Sequence, residues 1–294
     1  MATGLAGVAF VVRIFLDNQD EVLAAAADAR PSLILAGLLA GGAAMTGIGL
    51  TWRSALRMLG SEVGVMSALR GYFVGQLGKY VPGGVWAIMG RGEWARAEGV
   101  PGAVAYSSVV LSMGSAYLSA LLVGVALMPF LLGDGVSSDV PFVAVLVLLP
   151  VGLLIIHPAV LRWALDAVRR VTKRELILMI PSWRQSVSLV MRQLPSWILI
   201  GSANYLIAVA FGSGGDVCHV VAATAVSWVV GFLALPVPGG LGVREGVFVA
   251  LATSLPVGIA ATVALVARLV FIAVDTSGAG VTSLLLARRR TEVT

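Results

Sequence analysis

The chain has 294 residues, 59% of them hydrophobic and 12% charged, with a formal net charge of +5 and a mean hydropathy of +0.97; soluble domains run at about 45–50% apolar and about 25% charged. Its 20 Lys+Arg and 15 Asp+Glu are too few to cover a compact domain in water, so a soluble globular fold is excluded and the expected solvent is lipid. Disorder, collagen-like repetition and a disulfide framework are excluded as well, the last because Cys218 is the single cysteine.

In chain order, residues 2–16 form a first apolar stretch. Arg13 lies inside it and no Lys or Arg precedes it, so it reads as a short first span and not as a cleaved secretory signal. Runs without Asp, Glu, Lys or Arg then occupy residues 31–52, 99–133, 140–161, 193–215, 217–243 and 246–267, and 276–287 extends the last after Arg268 and Asp275. A hydrocarbon core about 30 Å thick needs about 20 apolar residues of helix. The alternating ten-residue segments of a transmembrane barrel are absent from the sequence. The expected fold class is therefore all-α: a polytopic integral membrane bundle, one transmembrane domain over residues 1–294, with about seven full spans plus two broken or re-entrant elements.

Charges between the runs alternate in sign. Asp17, Asp20, Glu21 and Asp28, then Asp134 and Asp139, then Asp216 mark one side, where Arg30 is the single cation. Arg53, Arg57 and Arg70, the basic stretch from Arg162 to Arg192, and Arg288, Arg289 and Arg290 mark the other. The positive side is cytoplasmic, which predicts a multi-pass plasma-membrane protein with both termini in the cytoplasm. Residues 158–192 combine these cations with Leu176, Ile177, Ile180 and Val187, a pattern expected for an amphipathic segment along the inner leaflet. Trp52, Trp163, Trp183, Trp197 and Trp228 read mostly as interfacial belt residues.

Two segments interrupt the apolar pattern. The first, within residues 67–98, runs Gly78, Lys79, Tyr80, Val81, Pro82, Gly83, Gly84, Val85, Trp86 and continues to Arg91, Gly92 and Glu93; the second, within 235–256, runs Pro236, Val237, Pro238, Gly239, Gly240, Leu241, Gly242, Val243, Arg244, Glu245. Proline removes a backbone donor and clashes with the preceding turn, and paired glycines make helix costly. Pro82, Gly83 and Gly84, and Pro236, Pro238, Gly239 and Gly240, are thus expected to split each segment into half-helices. Irregular backbone at membrane depth survives only when protein surrounds it or it lines a cavity, and a pair of such segments points to a transporter site. Freed N–H groups and helix dipoles would converge there on phosphate or carboxylate.

The candidate substrate-binding residues flank these breaks. Lys79, with Tyr80 beside it, Arg91 and Arg244 supply cations; Glu93 and Glu245 either orient the arginines or meet an amino or hydroxyl headgroup. The competing reading is that these charges cap loops and snorkel at the interface. Trp86 either packs an acyl or polyprenyl chain or anchors the segment. Arg268 and Asp275 are seven positions apart, two turns and one helix face; they form either a proton or headgroup relay, or a structural lock in which Arg268 pairs with Asp275 or with Glu245. His157, Cys218 and His219 do not make a zinc ligand set, and no Gly-x-x-x-x-Gly-Lys-[Ser/Thr] loop occurs, so neither metal nor cofactor is expected.

The pairing of the first motif, from Gly78 to Trp86, with the second, from Pro236 to Gly246, on a polytopic chain of this size resembles the lysylphosphatidylglycerol synthase transmembrane-region family, which includes the flippase domain of bacterial multiple peptide resistance factor proteins. The resemblance covers residues 33 to 286, and its second motif is the more specific. It implies a translocase, not an enzyme, that moves a phospholipid or a polyprenyl-phosphate-linked sugar between leaflets. The aminoacyl-transferase domain of those synthases is not in the sequence, so lipid aminoacylation is not implied. The implied partners are that lipid, the membrane and envelope glycosyltransferases, with no nucleic acid. The alternatives are an integral membrane glycosyltransferase or acyltransferase, and a glycosyltransferase accessory or a scaffold of envelope lipid synthesis that does not transport.

Overall fold

A computed structural model describes residues 27, 29–81, 85–132, 159, 181–234 and 240–291. Its helices in chain order are α1 Pro31–Met58, α2 Val65–Leu77, α3 Trp86–Ala97, α4 Gly102–Ala126, α5 Met128–Leu132, α6 Trp183–Ala210, α7 Val217–Leu233, α8 Val243–Leu251 and α9 Val257–Thr291, with a 3₁₀ turn at Gly78–Tyr80 before α3. Among the described residues there is no strand. Helices α1, α4, α6 and α9 are long and apolar enough to cross a membrane, and α7 is a shorter apolar helix. The protein is an all-α membrane bundle.

Local chemistry sets several helix starts. Pro31 occupies the first turn of α1, where a missing N–H costs nothing. Ser182 opens α6 through a capping box, its hydroxyl accepting from Gln185 N at 3.4 Å and its own N–H donating to Gln185 Oε1 at 2.8 Å. Asp216 opens α7 by accepting from His219 N at 2.7 Å.

The most extensive helix contact is α1 against α6. The two run antiparallel: Arg30 N, before α1, donates to Ala210 O at the end of α6, and Arg192, early in α6, donates to Ser54 near the end of α1. Helix α4 closes on both through indole donors, Trp52 Nε1 to Ser108 Oγ at 3.0 Å and Trp197 Nε1 to Ala116 O at 2.6 Å. Both indoles are fully buried, which corrects their reading as belt residues. Each has a hydrogen-bond partner inside the bundle, and so loses nothing by leaving the interface. His219 holds α5, α7 and α8 together, with Nδ1 2.7 Å from Phe130 O and Nε2 2.7 Å from Leu251 O.

Two expected boundaries shift. The uncharged run 246–267 is not one span. Helix α8 ends at Leu251, and α9 begins at Val257 directly after Pro256, because proline breaks the hydrogen-bond ladder and disfavours helix in the residue before it. Arg268 and Asp275 therefore sit inside one continuous 35-residue helix. Within the basic segment 158–192, residues 183–192 are the first turns of α6 and not a separate element; residues 160–180 of that segment, and the expected spans at 2–16 and 140–161, lie outside the described residues, apart from Ala159.

Candidate functional site: two facing helical hairpins

Helices α2 and α3 have 13 and 12 residues, about 20 and 18 Å at 1.5 Å per residue, against a hydrocarbon core of about 30 Å. Neither can cross alone. They fold back on each other, with Gly78 against the backbone of Trp86 and Gly75 against Arg91, where an added Cβ would overlap the arginine Cγ. The turn Gly78–Tyr80 sits at the tip of this hairpin and carries Lys79 and Tyr80.

Helices α7 and α8, of 17 and 9 residues, make a second hairpin. Gly231 of α7 lies against the returning chain at two points: an added Cβ there would stand 2.9 Å from Arg244 Cβ, and one on Gly240 would stand 2.7 Å from Gly231 O. Gly240 and Gly242 have φ of +64° and +79°, a left-handed conformation that costs glycine little and other residues more. Of the predicted break residues Gly240 is described; Pro82, Gly83, Gly84, Pro236, Pro238 and Gly239 lie outside the described residues.

The tips meet α9 through two buried carboxylates. Asp275, wholly buried, accepts from Lys79 Nζ at 2.6 Å and from Tyr80 Oη at 2.7 Å, both on Oδ2; its Oδ1 has no hydrogen-bond partner among the described residues. Glu245, also buried, uses Oε2 to accept the Gly242 N–H at 2.7 Å, closing the first turn of α8. Its Oε1 accepts from Arg268 Nη1 at 2.7 Å and pairs with Arg244 Nη2 at 3.2 Å. Arg268 thus pairs with Glu245, and Asp275 pairs with the first hairpin. The two residues share a helix but serve different tips, a division that spacing alone left open.

Between the tips lies a cavity of about 120 Å³ lined by Gln76, Lys79, Tyr80, Tyr117, Trp228, Arg244 and Arg268, with Met113, Phe232 and Phe271 supplying apolar wall. The Arg244 guanidinium lies 4.5 Å from the Trp228 ring centre, and Lys79 Nζ 5.9 Å from it. A smaller cavity of about 50 Å³ adjoins it, sharing Gln76, Met113, Tyr117 and Trp228, and is lined also by Arg91, Tyr72 and Ser112. Arg91 is 2% exposed, donates from Nε to Ala87 O at 3.2 Å and sits 5.6 Å from the Tyr72 ring centre. Cations fixed in apolar walls and braced by carboxylates hold an anion more strongly than the same groups in water, because little solvent screens them.

Seven of the predicted residues belong to this region: Lys79, Tyr80, Arg244 and Arg268 line the main cavity, Glu245 and Asp275 brace them, and Arg91 lines the adjoining one. Two do not. Trp86 is 48% exposed at the start of α3 and lines neither cavity. Glu93 is exposed and is held by Arg96 at 3.0 Å and by the Tyr106 hydroxyl. Trp228, Tyr72, Gln76 and Tyr117 went unrecognised. A signal for the first two was present, since the motif repeat extends upstream: Val74-Gly75-x-Leu77-x-x-x-Val81-Pro82-Gly83-Gly84 matches Val230-Gly231-x-Leu233-x-x-x-Val237-Pro238-Gly239-Gly240, with Tyr72 and Trp228 each three residues before the glycine.

No curated protein matches the chain. The family model described as the lysylphosphatidylglycerol synthase TM region matches residues 1–277, a stretch that contains both hairpins, Arg268 and Asp275. By that match the chain belongs to the lysylphosphatidylglycerol synthase TM region family, and is a membrane protein of lipid-related envelope processes.

Proposed function

We propose that the protein is a translocase that moves a phosphate-bearing lipid, either a phospholipid or a polyprenyl-phosphate-linked sugar, between the leaflets of the plasma membrane. The observation that carries this reading is the half-buried set of Lys79, Arg244 and Arg268 around one cavity at the tips of two half-length hairpins. A bare phosphate entering hydrocarbon loses several kcal/mol or more of hydration. In the cavity that loss is offset by charge-assisted hydrogen bonds, while the hydrocarbon chains stay in the bilayer. Glu245 and Asp275 hold the cations aimed before cargo arrives, and Glu245, which pairs with both Arg244 and Arg268, can give up one of them to the phosphate without stranding its charge.

Hairpins of this length suit alternating access, because each is attached to the bundle along short helices whose close packing rests on glycine contacts at Gly75 and Gly231. On this reading the chain performs no covalent chemistry, and both termini face the cytoplasm.

The test is leaflet transfer in proteoliposomes. Reconstituted protein is expected to expose fluorescent inner-leaflet phosphatidylglycerol to an external quencher well above the rate of protein-free vesicles, and Arg244→Gln to reduce the excess rate about tenfold or more. Equal rates with and without protein, for phosphatidylglycerol and for a polyprenyl-phosphate sugar alike, would overturn the reading in favour of a non-transporting scaffold.

A further inference from the structure

The two hairpins repeat each other in geometry as well as sequence. In each, an arginine on the second half-helix packs against a glycine of the first and places its guanidinium by the aromatic ring three residues before that glycine: Arg91 with Gly75 and Tyr72, Arg244 with Gly231 and Trp228. The copies differ in charge. Arg244 has Glu245 beside it, whereas Arg91 forms no ion pair with any described residue. Arg91 shares its cavity with Ser112, whose hydroxyl is buried and has no hydrogen-bond partner among the described residues. A buried cation and a buried idle hydroxyl on one small cavity, opening beside a larger cationic one, describe a second anion station. Among the described residues the two cavities gather Lys79, Arg91, Arg244 and Arg268 against Glu245 and Asp275, leaving two positive charges unmatched.

Resting on the headgroup reading of the main cavity, we propose that the cargo headgroup is a lipid-borne diphosphate diester, with one phosphate at Arg244 and Lys79 and the other at Arg91 and Ser112. Such a headgroup brings two negative charges to two unmatched cations. A phosphodiester lipid brings one, and a lysyl ester of phosphatidylglycerol has a net positive headgroup, which this charge balance repels. The same diphosphate also occurs in soluble nucleotide sugars, so the test separates the two sources.

Binding to the full chain in detergent is measured for three probes: farnesyl-diphospho-N-acetylglucosamine, farnesyl-phospho-N-acetylglucosamine and UDP-N-acetylglucosamine. The diphosphate lipid is expected to bind about tenfold or more tighter than the monophosphate lipid of the same tail and sugar, and tighter than the nucleotide sugar by a similar factor. Arg91→Gln is expected to collapse the diphosphate-to-monophosphate ratio toward one, with Arg91→Lys retaining part of it and Ser112→Ala lowering it by a smaller factor. A wild-type ratio of one, or an equal loss for both lipids in Arg91→Gln and Ser112→Ala, would overturn the two-station assignment. Nucleotide sugar binding as tightly as the lipid would overturn the lipid source. A preserved ratio without leaflet transfer would sink the translocase reading and leave this assignment standing; transfer without the ratio would do the reverse.

Discussion

The ion pair between Lys79 and Asp275 gives the sharpest energetic test, because it joins a hairpin tip to the last span across most of the chain. Asp275 is 0% exposed and the Lys79 side chain 22%, so solvent screens the pair little. Removing one member of a buried pair strands the other and costs about 3–5 kcal/mol, a large share of a fold stable by about 5–15 kcal/mol. Asp275→Asn and Lys79→Met should therefore each lower the unfolding free energy by roughly that amount, measured by denaturant titration in detergent micelles. Tyr80 Oη still donates to Asp275 in Lys79→Met, which places the expected cost of that variant at the lower end, about 3 kcal/mol. The double variant strands no charge. It should lose clearly less than the sum of the singles, with a coupling of about 2 kcal/mol or more. Additive losses would refute the reasoning, because they would mean that the two charges are solvated independently and that the tip is not fixed to α9.

Further outcomes follow from the same geometry. Gly231→Ala should push α8 off α7, since its Cβ would lie 2.9 Å from that of Arg244; overpacking of this kind costs about 1–3 kcal/mol, and leaflet transfer should fall with thermal stability in that variant. Glu245→Gln should reduce transfer about tenfold by releasing Arg268 and Arg244 together, while Glu93→Gln, on an exposed pair outside the cavity, should leave transfer unchanged in the same vesicles. Trp197→Phe should cost about 1–3 kcal/mol by leaving the buried Ala116 carbonyl without its indole donor, read as a lowered melting temperature.

The all-helical class was legible because lipid imposes it: long uncharged runs can bury their backbone only as helices. The two breaks were legible for the same reason, as Pro-Gly-Gly has no stable place in a helix interior. What composition could not rank was the competition between breaks. Pro256 lies unmarked inside the uncharged run 246–267, yet it separates α8 from a 35-residue α9, and so decides that Arg268 and Asp275 share one rod. Pairing was illegible for another reason. Arg268 could reach Asp275 or Glu245 by sequence distance, and only the position of α8 beside α9 selects Glu245. Trp86 and Glu93 were placed at the site by proximity to the break, but helical phase carries both away from the cavities. Trp228 was hidden in an apolar run that reads as an interfacial anchor until the hairpin brings Arg244 over its ring.

Whether the facing hairpins hold a lipid headgroup by its phosphate is read directly by native mass spectrometry with lipid extraction. Wild-type protein should retain an anionic, phosphate-bearing lipid that an Arg91→Ala/Arg244→Ala double variant loses. If both proteins instead carry the same bulk-lipid mixture, the cavity does not select a headgroup and the account is contradicted.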